Sequence, residues 1–282
     1  MAEMRSSALV DTAWLAAHLD APDVKVADAT WFLPTMRRDA RKEYAEAHIP
    51  GAVFFDIDDI ADDASPLPHM LPDPVKFSSR MRRLGLGDGT RIVLYDNNSY
   101  SASARAWWML RLFGHPDVAV LDGGLAKWRA EGRRVTDEPV TPKAAHFTAR
   151  QNNLLVRELE QMRANLMSRR EQVVDVRSRG RFAGTEPEPR AGLRSGHIPG
   201  SVSMPHLELI GGDGTLLPEP ELRRRLTAAR VDLTRPLVTT CGSGVTASTV
   251  ALALYQLGRD DVAVYDGSWS EWGGRDDTPV ET

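Results

Sequence analysis

The stretch DVAVLDGGLAKW (117–128) returns as DVAVYDGSWSEW (261–272), and that return decides the fold. Other stretches repeat in the same order: AHIPGA (47–52) comes back as GHIPGS (196–201), and LPDP (71–74) as LPEP (217–220). The spacing between copies drifts by only a few residues along the chain, as a tandem duplication with small insertions requires. The 282 residues suit two domains, since a domain holds about 100–200 residues. We place the first domain at 1–135 and the second at 151–282. The Pro-rich, non-periodic TDEPVTPKAAHFTAR (136–150) between them reads as a linker.

Within each half, short β-branched runs alternate with helical patterns. In the second half the runs are QVVDV, SVSMP, PLVTT and VAVYD. Between them lie PELRRRLTAARV, with Leu222 and Leu226 one helical turn apart, and TASTVALALYQLG, which ends on a capping glycine. Apolar strands buried on both faces and alternating with helices predict an α/β fold, a parallel sheet flanked by helices in each domain. Such folds bind ligands at loops off the C-terminal strand ends. The loop after PLVTT holds Cys241.

A net charge of −4, from 35 basic and 39 acidic residues, gives no global field for nucleic acid or anionic membrane. The opening MAEMRSSALVDTAWLAAHLDAP has neither an apolar leader core nor an Arg-rich, acid-free targeting character. The single cysteine, Cys241, makes no intramolecular disulfide and no multi-Cys zinc site. The expectation is a cytoplasmic protein with no metal and no organic cofactor.

Residues shared by both halves serve the architecture; residues found in one half are candidates for chemistry. HIPG occurs twice, so His48 and His197 read as turn residues beside a φ-fixing Pro and a permissive Gly. Asp122 and Asp266, Trp128 and Trp272 are duplicated and read the same way. The first asymmetry is CGSGVT (241–246), present only in the second half, where the first half has Asp96 in place of the cysteine. Gly242 and Gly244 in a short loop opening a helix let successive N–H groups face one anion, the setting that favours a reactive thiolate. The second is an insertion. Tyr44 stands four residues before its histidine and Phe182 fifteen before, the extra GTEPEPRAGLRSG following Arg181 and carrying Arg190 and Arg194. These arginines are either solvated or a bidentate clamp for a carboxylate. The third is DIDDIADDASPLPHM (56–70), which lacks the alternating ligands and glycine of a calcium loop. In it, His69 with Asp58 makes a possible charged pair.

CGSGVTAS, GRFAGTEPEPRAG, HIPGAVFFDID, SPLPHMLP and YDGSWSEW together resemble the tandem-rhodanese sulfurtransferases, within them the branch that uses 3-mercaptopyruvate, over nearly the whole chain. The resemblance implies that Cys241 becomes a persulfide and that Ser243 takes part in catalysis with a relay through His69 and Asp58. It implies further that Arg181 and Arg190 grip the substrate carboxylate, with Gly242, Gly244, Val245 and Thr246 completing the binding loop. Pyruvate would be released as the persulfide forms, and the outer sulfur would then pass to a thiol such as thioredoxin or to cyanide. One departure is Ser103-Ala104-Arg105, where the family more often has Ala-Pro before the arginine.

Three other readings stand beside it. A thiosulfate:cyanide sulfurtransferase shares the architecture, but that branch places cations directly after the cysteine, where this chain has Gly242 and Ser243. A binding-only persulfide carrier would hold the sulfur without turnover. A nucleotide-binding module is suggested by GSGVTA (242–247) after a strand, with Asp266 at about the ~20-residue spacing of a ribose-binding acid. A cysteine phosphatase is excluded, because C-x5-R fails at Ala247.

Overall fold

The structure is a computed structural model and describes residues 7–282; the start of the N-terminal stretch read above lies outside them. The first half contributes β1 (Leu9–Val10), β2 (Val24–Asp28), β3 (Val53–Phe54), β4 (Arg91–Tyr95) and β5 (Val118–Leu121). These form one sheet in the order β1-β5-β4-β2-β3, with every pair parallel. The second contributes β6 (Val156–Arg157), β7 (Gln172–Asp175), β8 (Val202–Ser203), β9 (Leu237–Thr240) and β10 (Ala263–Tyr265). Their order, β6-β10-β9-β7-β8, is the same path, again parallel throughout. The duplication is therefore a duplication of topology. The four anticipated runs of the second half all form strands; β6, two residues long, carries too little pattern to be read from the sequence.

Local chemistry sets the helix starts. Asp73 accepts from Val75 N and Lys76 N, and Pro74 opens helix Pro74–Arg83, whose Phe77 and Met81, four apart, face the core. Helices Ser101–Leu112 and Ala247–Gln256 follow the central strands β4 and β9; the first is buried at nearly every position, the second from Ala247 to Leu254. Apolar character all round a helix is what such burial demands. It also anchors the helix N-termini, and with them the loops off β4 and β9.

The chain forms two compact units whose membership departs from a simple cut. Among the described residues the first comprises 7–60, Asp73–Gln151 and Gly212–Thr215; the second comprises Ala61–Pro72, Asn152–Gly211 and Leu216–Thr282. His69 therefore belongs to the same unit as Cys241. Residues 136–150, expected as a linker, form an ordered strap on the first unit. Thr136 exchanges backbone hydrogen bonds with His48, Asp88 N donates to His146 O, and Arg150 N donates to Phe113 O. Phe147 is buried against Phe77 and His115.

The repeated histidines do repeat their contacts. His48 Nδ1 lies 2.8 Å from Tyr44 O with the rings stacked, and His197 Nδ1 lies 2.8 Å from Phe182 O, likewise stacked. The inserted segment thus loops out between a histidine and a ring partner that keep their geometry. Among the described residues no helix is long and apolar enough to cross a membrane, and no group of His, Cys, Asp or Glu could hold a metal ion.

Candidate active site

Strand β9 ends at Thr240, and Cys241 follows at its C-terminal end, 2% exposed. Its backbone is tied on both sides. Cys241 N donates to Ser268 Oγ at 3.2 Å, and Cys241 O accepts from Trp269 N at 3.0 Å. Gly242 O accepts from Ser270 N and Ser270 Oγ, at 2.8 and 2.6 Å. Gly244, with φ of +75°, makes the turn that an L side chain would strain. Buried Val245 and then Thr246 lead into helix Ala247–Gln256.

Two guanidinium groups reach this loop. A Cβ built on Gly242 would lie 3.1 Å from Arg181 Nη2 and 3.6 Å from Arg190 Nη1. Arg181 sits in the short helix Arg179–Phe182, started by Ser178. Its guanidinium is oriented by Glu188, a residue the sequence reading passed over. Glu188, its side chain 2% exposed, bonds Arg181 through Nε and Nη2 and also takes Arg177 Nη1 at 2.7 Å. Arg177 in turn chelates Asp175 and lies over the ring of Trp269, 4.3 Å from its centroid. Burial works against the Arg177 charge, but its hydrogen bonds to Asp175 and the adjacent carboxylate charges raise its pKa above the usual value. The chain Asp175–Arg177–Glu188–Arg181 runs from the end of β7 to the loop. Its sequence signal was an acid between two prolines in the inserted segment, seven residues after Arg181.

Arg194 is no part of the clamp. Its guanidinium is spent on Gly273 O, Trp272 O, Thr278 O and Thr278 Oγ1.

His69 Nδ1 lies 3.0 Å from Ser243 Oγ, both side chains buried. Asp58 belongs to the first unit, where its carboxylate accepts from Trp31 Nε1 at 3.0 Å. Asp122 accepts from Tyr100 Oη within its own half, and Asp266 Oδ2 accepts from Leu71 N at 2.8 Å. The acid that a nucleotide site would turn to a ribose is thus engaged by backbone.

The comparisons with known proteins agree with this architecture. Residues 11–131 and 158–275 each match the rhodanese-like domain. The chain belongs to the rhodanese family. It is 48% identical to a thiosulfate sulfurtransferase of Bos taurus over 98% of this chain and 94% of that one. It is 47% identical to a 3-mercaptopyruvate sulfurtransferase of Homo sapiens over 94% and 91%. Among solved structures, SseA of Escherichia coli, a 3-mercaptopyruvate sulfotransferase, superposes with a TM-score of 0.86 at 38% identity, covering 94% of this chain and 99% of that one. The protein is a rhodanese-family sulfurtransferase that works through a cysteine persulfide, and relatives of both donor classes stand equally near it.

Proposed function

We propose that the protein moves the sulfur of 3-mercaptopyruvate, through a persulfide on Cys241, to a thiol such as thioredoxin or to cyanide. The observation that carries this reading is the approach of Arg181 and Arg190 to Gly242, next to the only cysteine. Two guanidiniums hold a carboxylate and its neighbouring keto oxygen while the thiol on the next carbon reaches Cys241.

In the first half-reaction the Cys241 thiolate attacks the substrate sulfur. The new S–S bond forms as the C–S bond breaks, and the bonding pair stays on carbon as the enolate of pyruvate. The clamp stabilises the growing negative charge, and a proton delivered to carbon yields pyruvate. Ser243, its hydroxyl next to His69, supplies a proton path of hydrogen-bond length. In the second half-reaction the acceptor attacks the outer sulfur, and the electrons of the broken S–S bond return to Cys241. The order is ping-pong.

The loop of the first half indicates what holds the persulfide. There Asp96, at the position of Cys241, has a carboxylate that accepts from Asn98 N, Tyr100 N, Ala102 N and Ser103 N. The amides of the loop after Cys241 are the counterpart donors for an anionic outer sulfur, on a path that differs in detail: Ser99 and Tyr100 are both left-handed in the first half, and of their counterparts Gly244 is left-handed and Val245 is not.

A thiosulfate donor is the second reading, because guanidiniums against Gly242 also suit a small dianion. The two donors separate in steady-state kinetics of Arg190→Leu. For 3-mercaptopyruvate the loss in kcat/KM corresponds to ~1.5–3 kcal/mol of charged hydrogen bonding, with thiosulfate turnover little changed. Equal loss with both donors would favour the thiosulfate reading. Arg181→Leu would in addition strip a partner from buried Glu188. A cation placed at Gly242 would start from a Cβ already against Arg181 and would disturb the clamp it was meant to mimic.

A further inference from the structure

We propose that Asp266 is a positioning residue for the sulfur-transfer site, holding the segment that carries His69 in register with Ser243. The inference rests on the reading that His69 acts on the reaction through Ser243.

Three observations converge. His69 has φ of +59°, a left-handed backbone that is sparsely populated for a side-chain-bearing residue and persists where neighbouring bonds impose it. Two bonds hold the peptide between Met70 and Leu71, next along the chain: Met70 O accepts from Asp62 N at 2.9 Å, and Leu71 N donates to Asp266 Oδ2 at 2.8 Å. The first closes the segment on itself. The second ties it to the strand end, where Asp266, 4% exposed, follows β10 and donates its own N–H to Arg157 O.

The other half supplies the contrast. Asp122, the repeat partner of Asp266, accepts from Tyr100 Oη. In the second half Val245 stands at the place of Tyr100 and brings no hydroxyl. The carboxylate there receives the Leu71 amide, two residues beyond His69, and so reaches the segment that meets Ser243. A shift of about 1 Å at such a contact lowers turnover by up to ~100-fold without removing any reacting group.

The test uses the full chain with 3-mercaptopyruvate and with thiosulfate, comparing kcat and KM for five variants: Asp266→Ala, Asp266→Leu, Asp266→Asn, His69→Ala and the His69→Ala/Asp266→Ala double. Asp266→Leu keeps side-chain volume without an acceptor, in case the alanine variant folds poorly. Asp266→Asn keeps an acceptor for Leu71 N. The expected result is a fall in kcat of about tenfold for Ala and Leu with KM nearly unchanged, and recovery in Asn. Added to His69→Ala, Asp266→Ala should cost nothing more. If His69→Ala lowers kcat while the folded Asp266 variants do not, the positioning role is overturned and the His69 reading stands. A loss from Asp266→Ala that persists undiminished in the His69→Ala background overturns it as well. Native kcat in His69→Ala would end the His69 reading and this proposal with it.

Discussion

Asp28 and Asp175 close equivalent strands and meet different surroundings. Asp175 is chelated by Arg177. Asp28 has Thr30 at that place, and burial pushes its carboxyl up to about 6, with hydrogen bonds from Thr30 and Tyr95 pulling back and the charge of Asp96 pushing further. The folded carboxyl thus keeps its proton to about pH 6, while the unfolded chain releases it near 3.8. The stability contributed by the protonated form is complete below the unfolded value and lost as pH rises through the folded one, by about 3 kcal/mol. Asn at this position still accepts from Thr30 N and carries no charge. Asp28→Asn is therefore expected to raise the urea midpoint at pH 7.5 and to gain about half as much in stability at pH 5. A gap between variant and native protein that does not change with pH would contradict this assignment of the charge.

At the scale of elements, the two strand-end loops stand at equivalent places after β4 and β9 and enclose different groups. Asp96 Oδ2 takes Ser103 Oγ at 2.7 Å in addition to its four amides, so the first loop is closed around its own carboxylate. Asp96→Ala leaves those donors buried without an acceptor. A loss of about 3 kcal/mol or more in stability is expected, seen as a lower Tm, while kcat of the folded protein stays near native. An unchanged Tm would mean that the loop does not depend on its internal anion. The Cys241 loop was legible because cysteine, two glycines and a following helix are adjacent in the chain. Glu188 and Asp266 were not, since a buried ion-pair chain and a hydrogen bond spanning 195 residues leave no local pattern. The strap at 136–150 escaped for a related reason. Its order comes from backbone bonds to Arg82, Asp88 and Phe113, which composition does not encode.

Across the whole molecule, the repeat made both sheets readable at once, because a duplicated sequence path implies a duplicated strand order. It does not show which long-range bonds each copy makes: Asp266 takes the Leu71 amide across 195 residues. The exchange of Ala61–Pro72 and Gly212–Thr215 between the units was likewise invisible, since compact units are set by packing and not by order in the chain. What the halves do not share is a thiol, and the central claim rests on it. Intact-mass spectrometry of the protein treated with 3-mercaptopyruvate, followed by peptide mapping, tests that claim most directly. One added sulfur atom on Cys241, lost on addition of cyanide and absent from a folded Cys241→Ser protein, is the expected result. An unmodified Cys241 in protein that still releases pyruvate would contradict it.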